Sequence, residues 1–316
     1  MISGHNILTH SRMSTAKTCL RMHQYRYELG IRRDRTSQPL RMGSAVHAGI
    51  DLLAQGKTLT EAWIEIRGEY ADVPDWADPD DWRTEAEKVC RLVAGYEWRW
   101  GEDDCEVIAT EQAFNLPIKN PDTNATTPTF TFAGKIDKIV RLADGRLAIR
   151  EHKTCGVDIS VDSDYWRRLR IDQQISGYMM AARALGYCVE TVEYDVIRKP
   201  SIRPKLIGGG KDKVRETADQ YGVRLTDDIA ERPDFYFARM EIPRLEVDLR
   251  EFEAELWQIQ QTLRQHQLTG RWFRNTGACL HPYKCDYFDL CCNGYEHTDA
   301  TPTGFVRVDD LHPELV

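Results

Sequence analysis

Residues 134–154, GKIDKIVRLADGRLAIREHKT, constrain the fold more than any other stretch of this chain. Apolar residues alternate on both sides of Ala143-Asp144-Gly145, the pattern of an antiparallel hairpin with one buried face. Two registers compete. A three-residue loop, Ala143 to Gly145, sets Asp137 across from Glu151 and gives Gly145 the left-handed position such loops want. A two-residue loop, Asp144-Gly145, sets Lys138 across from Glu151 and Val140 across from Ile149, and sends Asp137 to the opposite face. Strand side chains alternate, so Glu151 and Lys153 share a face in either case. Only the first register adds Asp137 to them.

That trio has a chemistry. Two carboxylates can hold a hard divalent cation such as magnesium or manganese, which prefers oxygen ligands. A bound cation of this kind neutralises charge on a scissile phosphate and acidifies water. Lys153 can orient that water or stabilise the negative charge at phosphorus. Glu151-His152-Lys153 alone is a weak signal, since a surface ion pair has the same spelling.

The surrounding pattern predicts an α/β fold. Residues 11–29 read as a helix with Cys19 inside it, and 43–55 as another. There His47 lies beside the stripe of Val46, Ile50 and Leu53. Helical patterns continue over 60–70 and 82–100. Strands are expected at 105–116, 129–142, 146–153, 188–198 and 234–243. Helices are expected at 165–186, 211–230 and 246–268. The expected architecture is a small mixed, mostly antiparallel sheet flanked by helices. It divides into a helical N-terminal part (1–104), a core (105–270), a cysteine-rich segment (271–294) and a tail (295–316).

Composition narrows the function classes only slightly. The 316 residues carry a net charge of −8, with 41% hydrophobic and 29% charged residues, an ordinary globular balance. No apolar run approaches the roughly 20 residues that span a membrane. The opening MISGHNILTH has no secretory pattern, so a cytoplasmic location is the expectation. The negative total does not point to nucleic acid, but a basic groove is invisible to an average. Local basic stretches exist: Arg32, Arg33, Arg35 and Arg41; Arg167, Arg168 and Arg170; Arg198, Lys199, Arg203 and Lys205.

Four blocks in order sharpen the reading. Gly43-Ser-Ala-Val-His47, Gly134-Lys-Ile-Asp137, Glu151-His-Lys153 and Gln174-Ile-Ser-Gly-Tyr178 resemble the motifs of the PD-(D/E)XK nuclease superfamily, in particular its RecB-type branch. They span residues 43–178. The resemblance implies a restriction-endonuclease-like core. It implies His47, Asp137 and Glu151 as metal ligands, the carbonyl of His152 as a further one, and Lys153 as the catalytic lysine. Gln174 and Tyr178 stand i and i+4 on one helical face and resemble residues that brace the lysine and touch DNA. Glu111 is a weaker extra candidate for metal or structural support.

The cysteines carry a second resemblance. Cys279, Cys285 and Cys291 crowd an aromatic stretch, CLHPYKCDYFDLC. Three thiolates need a fourth ligand for a closed tetrahedral or cubane site, and Cys292 is poorly placed beside Cys291. The context of Cys19 resembles the first cysteine block of RecB-type nucleases that carry a 4Fe–4S cluster, including phage-encoded and CRISPR-associated relatives. One cysteine precedes the core there and three follow it, the order seen here. The five-residue gap between Cys279 and Cys285 departs from those relatives. His281 or Cys292 as a substitute ligand, and zinc in place of the cluster, therefore stay open.

The expectation is thus a magnesium- or manganese-dependent DNA nuclease. The resemblance favours an exonuclease on single strands or ends, serving recombination, repair or phage DNA metabolism with recombination or replication proteins as partners. Trp166, Arg167, Arg168, Arg170 and Tyr178 would suit phosphate contacts and base stacking. Two alternatives stand beside it: a structure-selective or nicking endonuclease, and a catalytically idle DNA-binding or spacer-processing partner.

Overall fold

The computed structural model describes residues 6–103, 105–208, 213–295 and 300–315. The chain opens with strand β1 (Ile7–Leu8) and helix α1 (His10–Thr18), which the Thr9 hydroxyl caps by accepting from Arg12 N–H. Helix α1 does not continue through Cys19. That residue is extended, and α2 (Leu20–His23) runs on into a π-helical turn over Gln24–Glu28. The expected single helix over 11–29 is therefore broken at the cysteine. The break is held from outside: Arg21 N–H donates to the carbonyl of Phe273, and Cys19 Sγ accepts from Asn275 N–H.

Strand β2 (Ile31–Arg33) and helices α3 (Gln38–Ala54), α4 (Leu59–Glu69) and α5 (Pro79–Trp100) follow. Helix α4 begins in a capping box of Thr58 and Glu61, and α5 is capped by Asp78 with proline in its first turn. Strands β3 (Glu106–Lys119), β4 (Thr126–Arg141) and β5 (Leu147–Cys155) come next. The expected helix over 165–186 is two pieces, α6 (Asp164–Leu169) and α7 (Gln173–Ala184). Asp172 restarts it by accepting from Gln174 N–H, and Arg244 bonds the freed carbonyls of Leu169, Arg170 and Asp172.

The rest is β6 (Val189–Arg198), the small hairpin β7 (Leu206–Ile207) and β8 (Val214–Arg215), α8 (Ala218–Glu231), α9 (Pro233–Tyr236), β9 (Phe237–Pro243), α10 (Glu246–Thr269), α11 (Phe288–Cys292) and β10 (Phe305–Arg307). The expected helix from 211 thus starts only at 218; residues 209–212 lie outside the described residues.

Six strands make one mixed sheet. β4 carries β3 antiparallel along one edge, and its other edge is shared by β1, parallel, and β5, antiparallel. β5 pairs β6 in parallel across the α7 crossover, and β9 closes the sheet antiparallel to β6. Each face has its own core. One packs Phe114, Phe132, Ile149, Met179 and Tyr194 beneath α7 and α10. The other packs Val46, Val89, Val93, Ile197 and Phe237 beneath α3, α5 and α8. A third, smaller cluster joins Tyr25 and Ile31 to Tyr287, Leu290 and Phe305. Among the described residues no helix is long and apolar enough to cross a membrane.

Candidate active site

The β4–β5 register decides the site. Lys138 lies opposite Arg150, Ile139 opposite Ile149 and Arg141 opposite Leu147. Leu142 and Arg146 close a three-residue loop in which Gly145 has φ +91°. Beyond Lys138 and Arg150 the ladder stops. The carboxylate of Asp137 takes over, accepting from the backbone N–H of His152 at 3.1 Å. Asp137 therefore stands beside Glu151 at the point where the two strands part.

Two glycines let other groups approach. Gly134 lies opposite Phe114 on β3, and a Cβ there would meet the Phe114 ring at 2.5 Å. Phe114 in turn meets Tyr178 edge-on, centroids 5.9 Å apart. On α7, a Cβ at Gly177 would meet Phe132 at 2.7 Å, so the helix rests directly on β4.

Close packing of α7 completes a hydrogen-bonded group. Lys153 Nζ donates to Glu151 Oε1 at 2.6 Å and to Gln174 Oε1 at 2.9 Å. Gln174 Nε2 donates to the same Glu151 oxygen at 2.9 Å and to the Tyr178 hydroxyl at 3.0 Å. Glu151 is only 3% exposed, and its Oε2 has no hydrogen-bond partner among the described residues.

The charges are out of balance. Burial pushes the Glu151 carboxyl up to about 8, and the Asp137 charge adds to this against the pull of Lys153. Burial also raises Asp137, while Lys153 and the His152 N–H oppose it. Burial disfavours the Lys153 ammonium, but Glu151, Asp137 and Asp172 outweigh that and raise it. Lys153 thus serves the buried Glu151 and the half-buried Asp137, with Lys138 helping at Asp137, and among the described residues one buried Glu151 oxygen stays without a hydrogen-bond partner. An oxygen-rich, under-neutralised pocket is what a hard divalent cation fits.

His47 reaches this place from the other face of β5. Helix α3 lies so close that a Cβ at Gly43 would meet Thr154 Oγ1 at 2.8 Å. The His47 ring meets that of His152 edge-on, centroids 6.2 Å apart. Burial pushes His47 down to about 4, with Lys153, Lys138 and Lys199 acting the same way, so the ring is neutral with a lone pair to offer. Among the described residues, no three His, Cys, Asp or Glu side chains are gathered as ready metal ligands. The group thus brings together Asp137, Glu151, Lys153, Gln174 and Tyr178, with His47 behind His152. Glu111 has the left-handed φ of 51° and an ion pair with Lys135. Its charge adds to the rise of Asp137, and it is half exposed.

Sequence reasoning missed the frame behind His152. Its Nδ1 lies 3.5 Å from Asp195 Oδ2, too long for a good hydrogen bond. Asp195 accepts from Tyr96 at 2.6 Å and from Arg239 at 2.9 Å. Arg239 and Arg150 both reach Asp103, and Arg150 also bonds Glu193. Glu193 and Asp195 two apart within the apolar VETVEYDVIR were the available signal. His10 was missed too. It opens α1 near Lys153 and Asp172, its Nδ1 is buried with no hydrogen-bond partner among the described residues, and burial lowers it to about 4.

The cysteines also converge. Cys19 Sγ accepts from Asn275 N–H at 3.3 Å, and Cys285 N–H donates to the Cys279 carbonyl at 2.8 Å. Burial raises the Cys285 thiol, and Cys291 and Cys19 are close enough to add to this. All are free thiols; Cys292 is exposed. Cys19, Cys285 and Cys291 thus lie near one another across the two ends of the chain, with Cys279 tied to Cys285 through the backbone, while among the described residues no three such side chains are gathered as ready metal ligands.

Metal binding should read out on the Glu151 proton. A folded-state value near 8, above the ordinary 4.5, gives the metal-free fold a contribution that is full below about 4.5 and lost as pH rises towards 8. A divalent cation needs the ionised form, so it must displace that proton at low pH. Manganese is therefore expected to raise the melting temperature more at pH 8 than at pH 6, and Glu151→Gln to abolish the difference. Equal shifts at both pH values in the wild type would contradict this site.

The comparisons agree with the geometry. No curated protein matches the chain. Among solved structures, a Eubacterium rectale protein described as "Putative exonuclease" shares 12% identity, with 93% of this chain and 90% of that one covered and a TM-score of 0.50. At that identity the likeness bears on the fold alone. The structure of SSO0001 aligns over 87% of this chain and 80% of its own at 11% identity, with a TM-score of 0.31 that carries no argument. The description "PD-(D/E)XK nuclease superfamily" matches residues 7–292. This chain therefore belongs to the PD-(D/E)XK nuclease superfamily.

Proposed function

We propose that the chain is a magnesium- or manganese-dependent exonuclease that hydrolyses phosphodiester bonds of single-stranded DNA or DNA ends. The observation that carries this is the half-buried Glu151–Lys153–Gln174–Tyr178 group beside Asp137, with one oxygen of the buried Glu151 left for a cation. Asp137, Glu151, His47 and the His152 carbonyl would hold the metal. When bound, it supplies charge neutralisation at the phosphate and a more acidic water. Lys153 keeps its proton and places a fixed positive charge at the developing oxyanion. Gln174 holds Lys153 by its carbonyl and Glu151 by its amide, so neither can rotate away from the other. Tyr178 anchors Gln174 in turn.

The exonuclease reading rests on the resemblance of the four motif blocks; the Eubacterium rectale neighbour, alike in fold, is described in the same terms. A role in recombination, repair or phage DNA metabolism, and partner proteins from those processes, belong to the same reading. A second part of the proposal concerns the thiols. Cys19, Cys279, Cys285 and Cys291 hold a 4Fe–4S cluster, with zinc as the alternative, that staples the two ends of the chain. What supports it is the nearness of Cys19 and Cys291 to Cys285 and the backbone tie between Cys285 and Cys279.

End-labelled linear and closed circular single-stranded DNA, incubated with manganese, separate the activities. Loss of the linear strand alone is the expected result. Loss of both identifies an endonuclease. Intact DNA of both kinds contradicts the proposal and leaves the idle DNA-binding reading.

A further inference from the structure

Two basic stretches far apart in the sequence, Arg35–Arg41 and Arg198–Lys205, meet beside α3. Lys199 Nζ donates to the Pro39 carbonyl at 2.7 Å and ties them together. Between α3, α5 and the β7–β8 hairpin opens a cavity of about 650 Å³. Its aromatic wall is Trp76, 43% exposed, standing edge-on to Trp82 with centroids 5.7 Å apart. The Arg41 guanidinium lies 4.3 Å over Trp82, fixed by bonds of 2.7 and 2.8 Å to Glu85.

The cavity's charges do not cancel. Glu85 neutralises Arg41, and Asp81 and Asp78 take Arg215. Lys88 and Arg203 also line it, and among the described residues neither is in an ion pair. Burial lowers the Lys88 ammonium; Glu85 and Asp81 oppose this, while Arg215 and Arg203 reinforce it. Over the whole lining, four cations face three carboxylates, one positive charge in excess. The Trp76 indole beside them is 43% exposed and has the Arg35 and Arg41 guanidinium groups 5.3 and 5.7 Å from its ring centre. Excess positive charge beside a partly exposed ring suits an anion that carries a flat ring.

We propose that this cavity takes one nucleotide of single-stranded DNA, its base on Trp76 and its phosphate between Lys88 and Arg203. The proposal rests on the reading of the chain as a single-strand nuclease. Stacking platforms with flanking cations bind single strands with little regard for sequence. A duplex keeps its bases stacked on each other and offers none to Trp76. Arg41 and His47 are six residues apart on α3, about 9 Å along its axis. The nucleotide in the cavity is thus near the scissile phosphate along the strand, but not the one cleaved.

The test is binding of a short fluorescein-labelled oligothymidylate to the full chain, without added divalent metal, over a range of salt. Trp76→Ala is expected to weaken binding about tenfold and Trp76→Phe to restore most of it. Lys88→Ala with Arg203→Ala should lower the slope of log affinity against log salt by roughly 0.7, the value for one phosphate contact to a single strand. Lys88 is half-buried and Arg203 exposed, so Arg203→Ala alone keeps that arm readable if the double variant fails to fold. Unchanged affinity in Trp76→Ala together with an unchanged slope in the double variant would overturn the proposal. So would binding of thymidine monophosphate at this site with no affinity for the oligonucleotide. Trp76-dependent strand binding by a wild type that cleaves nothing would support the cavity while removing the nuclease reading, so the two failures are distinguishable.

Discussion

Lys153→Ala is expected to slow strand cleavage on the order of 10²–10³-fold, the usual cost of removing one charge-stabilising donor. The size follows from how the lysine is held. Its ammonium is fixed between Glu151 and Gln174, and its charge is kept by Glu151, Asp137 and Asp172. A donor preorganised in a buried pocket acts without reorganisation when charge develops at phosphorus. Strand affinity should change far less, because the single-strand contacts proposed for Trp76, Lys88 and Arg203 lie elsewhere. Single-turnover cleavage of labelled DNA with manganese, alongside binding without it, separates the two. A variant that cleaves within threefold of the wild type would remove Lys153 from the machinery. Gln174→Ala should produce a smaller defect, since Glu151 still holds the lysine after the amide is gone.

Cys19→Ala is expected to lose bound iron and to melt several degrees lower. A metal centre joining residue 19 to residues 279–291 closes a loop of about 260 residues, and cross-links of that length can contribute roughly 5–6 kcal/mol in chain-entropy arithmetic. The figure is an upper estimate here, because the same region is already tied. Tyr25 and Ile31 pack against Tyr287, Leu290 and Phe305, and β10 pairs with β2. Iron, sulfide and zinc analysis of the purified protein distinguishes the cluster from zinc. Cys292→Ala should leave metal content unchanged, since that thiol is exposed. Unchanged metal and unchanged melting in Cys19→Ala would end the staple proposal.

The tail shows how local signals can fall silent. Residues after 294 carry no periodicity, yet Leu311 and His312 are buried, His312 stacks on Tyr27, and Glu314 accepts from the Thr9 hydroxyl. Residues 296–299 and 316 lie outside the described residues. The stabilising partners of the tail sit some 280 or more positions away, and no window along the chain contains both halves of such a contact.

What the sequence by itself determined was the local geometry around the hairpin. Alternation and the left-handed need of Gly145 narrowed the hairpin to two registers, because strand periodicity and turn chemistry act over a few residues; the folded chain has the one that sets Asp137 beside Glu151. The order of the four motif blocks was likewise legible, and it pointed to the superfamily. Tertiary structure decided the rest. The same helical periodicity runs through Cys19 and through Arg170–Asp172, but contacts from Asn275, Phe273 and Arg244 break the helices there. The Asp195–Arg239–Asp103–Arg150 frame, the arrival of His10 and the meeting of two basic stretches at Trp76 each join side chains from distant segments. Their energies depend on burial and on neighbours that only the folded chain supplies, so no local pattern could have announced them.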